Sequence, residues 1–250
     1  KFASFGGLFY DCIDSTVEHN MSKAASTRGA AFNASYLPAS LKEIETIDSI
    51  ARYSGMSTMM LSRCGGTENA FRNLISSDKI DAVHFSTHGF VLNKSLTRSP
   101  RNFSDYLLGH NGLLLSGVND ILDGGLDNDG EGVFTGAEIS HLDMHNINFV
   151  ALGACDTGKG VDKYSHLLSE NSWSLANAFI KSGVSSILCS LWSVDDASTS
   201  QLMIEFYKNW FSKKTTPRIS LKYARQKLRH IPQFSNPKYW GAFVLIDDIE

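Results

Sequence analysis

Two residues in this chain combine reactive chemistry with room to use it. One is Cys155, in the run from Ile147 to Gly160; the other is His88, at the end of the run from Asp81 to Gly89. Phe149, Val150, Ala151 and Leu152 form a short apolar stretch without charge, the pattern of a strand buried on both faces of a parallel sheet. Behind it, Gly153, Ala154, Cys155, Asp156, Thr157 and Gly158 surround one thiol with small residues that leave space for a substrate backbone. In open α/β sheets ligands gather at the carboxyl ends of the strands, and Cys155 falls at such an end. Taken alone it has two readings, a buried structural cysteine or a nucleophile.

The second run bears on that choice. Asp81 to Ser86 predicts another strand, leading into Thr87-His88-Gly89. His84 lies inside its apolar stretch and is expected to be a packed, hydrogen-bonded core residue. His88 is expected just past the strand, where Gly89 lets the backbone turn with its N–H exposed. On a strand the two histidines stand about 13 Å apart, which argues against a shared zinc. If the two strands are parallel neighbours, their ends emerge about 4.8 Å apart. An imidazole then comes within reach of the thiol. It can raise the thiolate fraction and later protonate a leaving amine, while the N–H groups of Gly89 and Cys155 hold an oxyanion. Spacing assigns no third residue, and a dyad suffices.

The rest of the chain supplies the elements that must position this pair. Phe2 to Tyr10 predicts a first strand, and Asp11 to Ser35 a long, mobile polar loop. Pro38 opens a helix with Leu41, Ile44, Ile47, Ile50 and Ala51 at helical spacing. A strand at Thr58 to Leu61 and a helix capped by Thr67 follow. Gly112 to Ser116 reads as a strand, Asp120 to Gly132 as loop, and Gly136 to Leu142 as a short helix capped by Thr135. After a polar loop reaching Asn171 come a helix from Trp173 to Lys181, a strand from Val184 to Leu191, helices ending at Phe211 and Leu228, and a last strand from Trp240 to Ile246. Alternation of this kind predicts an α/β fold with a mainly parallel sheet. No interior linker or repeat divides it, so residues 1–250 are expected to be one domain, the C-terminal part of a longer protein.

Composition excludes other classes. A formal net charge of −3 gives no basic field, so nucleic acid is not an expected partner. No apolar run approaches the length of about 18 residues that a membrane span requires. Cys12, Cys64, Cys155 and Cys189 are scattered, without the density of a disulfide framework or the CxxC pairs of a zinc ribbon. A reduced, cytoplasmic setting is expected, with no cofactor.

Several stretches together resemble one family. Val83-His84-Phe85-Ser86-Thr87-His88-Gly89 is similar to the histidine motif of the CHAT domains, caspase-like peptidases related to caspases and separase. Leu152-Gly153-Ala154-Cys155-Asp156-Thr157-Gly158 is similar to their cysteine motif. Leu37-Pro38-Ala39 with Lys42-Glu43-Ile44, Gly112 to Ser116, Leu191-Trp192-Ser193-Val194-Asp195-Asp196, and Asn236-Pro237 through Tyr239 to Val244 agree in order. The resemblance implies a caspase-hemoglobinase-like three-layer sandwich and a cysteine endopeptidase cutting intracellular proteins, with His88 and Cys155 as the dyad. It also implies an upstream sensor or helical-repeat domain as partner. A catalytically silent interaction module on the same fold is the alternative. The polar stretch Asp162 to Asn171 departs from the glycine-rich sequence usual after the cysteine.

Other constellations are weighed against plainer roles. Asp195 and Asp196 either cap a helix or, with Trp192, Ser193 and Asp156, line a pocket for a basic substrate side chain, as in separase, which this stretch resembles. Asp127, Asp129, Glu131 and Glu138 fit a calcium-loop spacing, but Gly124-Gly125 stand where the incoming helix belongs, and no metal is expected. Arg98 and Arg101 read as surface loop, with self-cleavage as the other option.

Overall fold

The computed structural model describes residues 1–12, 34–77, 79–91, 111–122, 132–153 and 168–247. Its main sheet has six strands in the order β2 (Thr58–Arg63), β1 (Phe2–Leu8), β3 (Ala82–Phe85), β7 (Phe149–Leu152), β8 (Ser186–Ser190), β9 (Phe243–Asp247). The first five run parallel, and β9 closes the edge antiparallel to β8. The expected adjacency holds: β3 pairs directly with β7, Ala82 opposite Phe149 and Phe85 opposite Leu152.

Alternation along the strands divides the core into two. Phe2, Ala82, Phe149, Ala151 and Leu188 face helices α1 (Pro38–Tyr53), α6 (Asp196–Tyr207) and α7 (Pro217–Arg229), burying Ile47, Ala51, Leu202, Phe206 and Leu221. Ala3, Phe5, Val83, Phe85, Val150 and Ile187 face the other way, onto Phe71 of α2 (Glu68–Ser77) and Phe179 of α5 (Leu168–Lys181). These side chains are buried on both faces because parallel strands are covered by their own crossover helices. The result is the helix–sheet–helix sandwich that the caspase-like resemblance implies. Among the described residues no helix is long and apolar enough to cross a membrane.

Three features differ from the sequence reading. First, β4 (His88–Val91), β5 (Asn111–Leu114) and β6 (Val133–Thr135) form a separate antiparallel sheet. The strand expected from Gly112 to Ser116 is present as β5, but β4 and β6, with four and three residues, are too short for alternation to show. Its tightness depends on Gly112, where any Cβ would collide with the Phe134 carbonyl. Second, α3 (Val118–Leu122) interrupts the expected loop after Asp120, and α5 begins at Leu168 rather than Trp173; helix α4 (Gly136–Ser140) keeps its expected Thr135 cap. Third, Cys12 and Cys64 form a disulfide with Cα atoms 5.7 Å apart, where separate reduced thiols were expected. The β1–β2 pairing continues one residue past β1 through the Phe9 N–H to Arg63 carbonyl bond, and this brings residues 52 apart in sequence together. The predicted mobile loop lies mostly outside the described residues, as do Arg98 and Arg101.

Candidate active site

The two strand ends stay together as they leave the sheet. The Gly153 N–H donates to the Phe85 carbonyl at 2.7 Å, extending the β3–β7 ladder by one bond. A Cβ on Gly153 would stand 3.1 Å from that carbonyl, so the close approach favours glycine. Cys155 and Asp156, two and three positions further on, lie outside the described residues.

His88 is buried and opens β4, opposite Leu114. Its Nε2 lies 2.6 Å from the Ser35 carbonyl oxygen. A carbonyl only accepts, so Nε2 donates, and in the neutral ring Nδ1 is the basic nitrogen. Beside it, the Tyr10 ring centre is 5.2 Å from the imidazole centre. The Thr87 hydroxyl donates to the Leu114 carbonyl, so the Tyr10 hydroxyl donates to Thr87 at 2.9 Å while accepting from the His88 backbone N–H. This chain fixes the backbone on which the imidazole is mounted. Burial pushes the Tyr10 hydroxyl far above its ordinary value, which keeps it a donor. Gly89 differs from expectation: it sits within the β4 ladder opposite Leu113 and is not among the glycines with positive φ.

Trp192, Ser193, Asp195 and Asp196 follow β8, the neighbour of β7 on the side away from β3. Asp195 caps α6, its carboxylate accepting from the Ser198 N–H at 3.0 Å, as the capping reading expects. Asp196 does something else. One of its oxygens accepts from the Ala39 N–H at 3.0 Å, tying the first turn of α1 to the first turn of α6. Burial pushes its carboxyl up; the Ala39 bond opposes this, and Glu43 and Asp195 add to it. Asp196 also helps raise Tyr10 and, after burial and Glu45, Tyr36. Its charge is thus felt on the His88 side of the site. Trp192 is 40% exposed, with its indole N–H donating to the Lys238 carbonyl at 3.1 Å.

His84 is a packed core residue, as expected, and its partner is Glu43: Nε2 to Oε1 is 2.7 Å, and neither side chain is exposed. The pattern held a signal for Glu43, a carboxylate on the stripe of α1 that buries Ile44 and Ile47. The Ser35 carbonyl had none, because a backbone oxygen leaves no mark on sequence. Glu138 is engaged in a capping box with Thr135, and Asp127, Asp129 and Glu131 lie outside the described residues. Among the described residues no cluster of His, Cys, Asp and Glu is placed to hold a metal ion.

A scan against protein families matches residues 15–248 to the CHAT domain. A search of curated proteins finds no match to the chain.

Proposed function

Because the chain belongs to the CHAT domain family of caspase-like peptidases, we propose that it is a cysteine endopeptidase with Cys155 as nucleophile and His88 as general acid and base. The imidazole takes the thiol proton and the thiolate sulfur bonds to the peptide carbonyl carbon. The N–H groups of Gly89 and Cys155 receive the oxyanion. His88 returns the proton to the leaving nitrogen as the C–N bond breaks, leaving a thioester. Water, deprotonated by the same imidazole, then releases the acid and restores the thiol.

The observation that carries this reading is the Ser35 carbonyl on His88 Nε2. It supports Nδ1 as the basic nitrogen of the neutral ring, three residues past the end of β3, the strand that pairs with the one leading to Cys155. Asp196 supports a basic side chain at the substrate position before the cut. It is a half-buried carboxylate next to Glu43 and Asp195, and a guanidinium or ammonium group would relieve their repulsion. Trp192, Ser193 and Asp156 belong to the same proposed pocket, and segments of other intracellular proteins are the proposed substrates.

The test compares wild type with Cys155→Ala on a peptide library and a thiol-directed activity probe. Cleavage after Lys or Arg that disappears in the variant is expected. A wild type that labels no better than the variant, alone and joined to any natural upstream domain, leaves the interaction-module reading in its place.

A further inference from the structure

Glu43 and His84 are both 0% exposed, one from helix α1 and the other from the central strand β3. Burying such a pair is seldom the most stable solution, since apolar residues of similar volume often serve as well or better. A role other than stability accounts better for it, and its place in the fold indicates which.

His84 stands opposite Ser4 and Ala151 in the sheet, and its ring packs edge-on against Tyr207 of α6 with centres 5.4 Å apart. Above it, a Cβ on Gly153 would lie 3.6 Å from both Glu43 Oε1 and His84 Cε1. The pair therefore lies directly beneath Gly153, where the chain leaves β7. At the start of α6, burial raises the Asp196 carboxyl and Glu43 adds to that rise. Glu43 Oε2, His84 Nδ1, Ser4 Oγ and Tyr207 Oη are buried without a hydrogen-bond partner among the described residues. Polar groups left in this state cost stability, so the cluster is not arranged for stability alone.

We propose that the buried Glu43–His84 pair positions the nucleophile, fixing Gly153 at the exit of β7 and through it the approach of the Cys155 thiol to His88. The inference rests on the reading of Cys155 and His88 as the dyad. Both residues act through Gly153 and, being fully buried, touch no substrate, so they are positioning residues.

The deciding variant is Glu43→Leu with His84→Leu, which removes the acid and the imidazole together and keeps the site filled. Glu43→Gln, which keeps the shape and removes the carboxyl group, is the second. Folding is checked by circular dichroism and thermal melting. Peptide hydrolysis gives kcat and KM, and Cys155 alkylation followed by mass spectrometry from pH 5 to 10 gives the thiol's midpoint.

The expected result is a folded protein with KM within about twofold, kcat lower by at least about tenfold, and an alkylation midpoint displaced upward to the free-thiol value of about 8.5. A folded double variant with wild-type kcat and midpoint overturns the proposal, and so does a loss confined to melting temperature. If the wild type itself neither hydrolyses peptides nor shows a lowered midpoint, the dyad reading fails and takes this inference with it. That outcome is visible in the wild-type arm alone, so the two failures are distinct.

Discussion

The His88 imidazole is held by the Ser35 carbonyl, Nε2 to oxygen at 2.6 Å, across 53 residues of sequence. A ring hydrogen-bonded in this way has one tautomer available when neutral, and its basic nitrogen is chosen before any substrate arrives. His88→Ala is expected to lower peptide hydrolysis by about a hundredfold to ten-thousandfold and, since it empties a buried, hydrogen-bonded position, to lower the melting temperature as well. His88→Gln, whose amide nitrogen can still donate to Ser35 but which cannot relay a proton, is expected to be as inactive. Turnover by His88→Gln near the wild-type rate would show that the ring does no proton chemistry.

Asp196 is a carboxylate that folding disfavours. Its folded value is raised, first by burial, so its contribution to stability is fully present below the unfolded value and is lost as pH rises through the folded one. At neutral pH the ionised form is a net cost. Asp196→Asn, whose side-chain oxygen can still accept from the Ala39 N–H, is expected to melt higher than wild type at pH 7. The same variant is expected to cleave after Lys or Arg more slowly. Peptide kinetics and a thermal melt on one preparation test both halves, and unchanged cleavage would remove Asp196 from the specificity pocket.

Alkaline pH is expected to unfold the protein from the inside. Burial raises Tyr10 and Tyr207 above an ordinary value of 10.0 and pushes Cys189 up from 9.0 to about 12. In each case the unfolded chain loses the proton first, so stability is complete below pH 9 and declines as pH rises from 9 toward 12. Urea midpoints measured from pH 8 to 11 should fall steadily, and Tyr207→Phe should flatten that fall. A pH-independent midpoint over this range would contradict the buried, protonated state of these groups.

The Cys12–Cys64 bond closes a loop of 52 residues, and restricting the unfolded chain by that much is worth about 4 kcal/mol in the loop-entropy treatment. Phosphine reductant is expected to lower the urea midpoint of the wild type and to leave Cys12→Ser with Cys64→Ser unaffected. Equal reductant sensitivity in both proteins would trace the effect to another thiol.

What could be read from the sequence was local or periodic. The apolar run ending at Leu152, the helical spacing of Ile44, Ile47 and Ala51, and the reactive residues His88 and Cys155 each lie within a short window, where burial on one or both faces imposes a recognisable pattern. The adjacency of β3 and β7 could be inferred too, since alternating strands and helices leave few arrangements of a parallel sheet. Of the β4–β5–β6 sheet only β5 was legible, because β4 and β6, with four and three residues, hold at most two alternations.

The contacts that set the site's chemistry were decided by tertiary structure. Ser35 offers a carbonyl that any residue would offer. Asp196 looks like one of two capping acids until the α1 backbone arrives beside it, and Cys12 finds Cys64 only because β1 and β2 pair in parallel. Glu43 and His84 are 41 residues apart in sequence and 2.7 Å apart in space. Sequence determined which groups can carry a proton or a charge, because that is a property of the side chain. The fold decided which of them are desolvated and paired, because that depends on which distant segments meet.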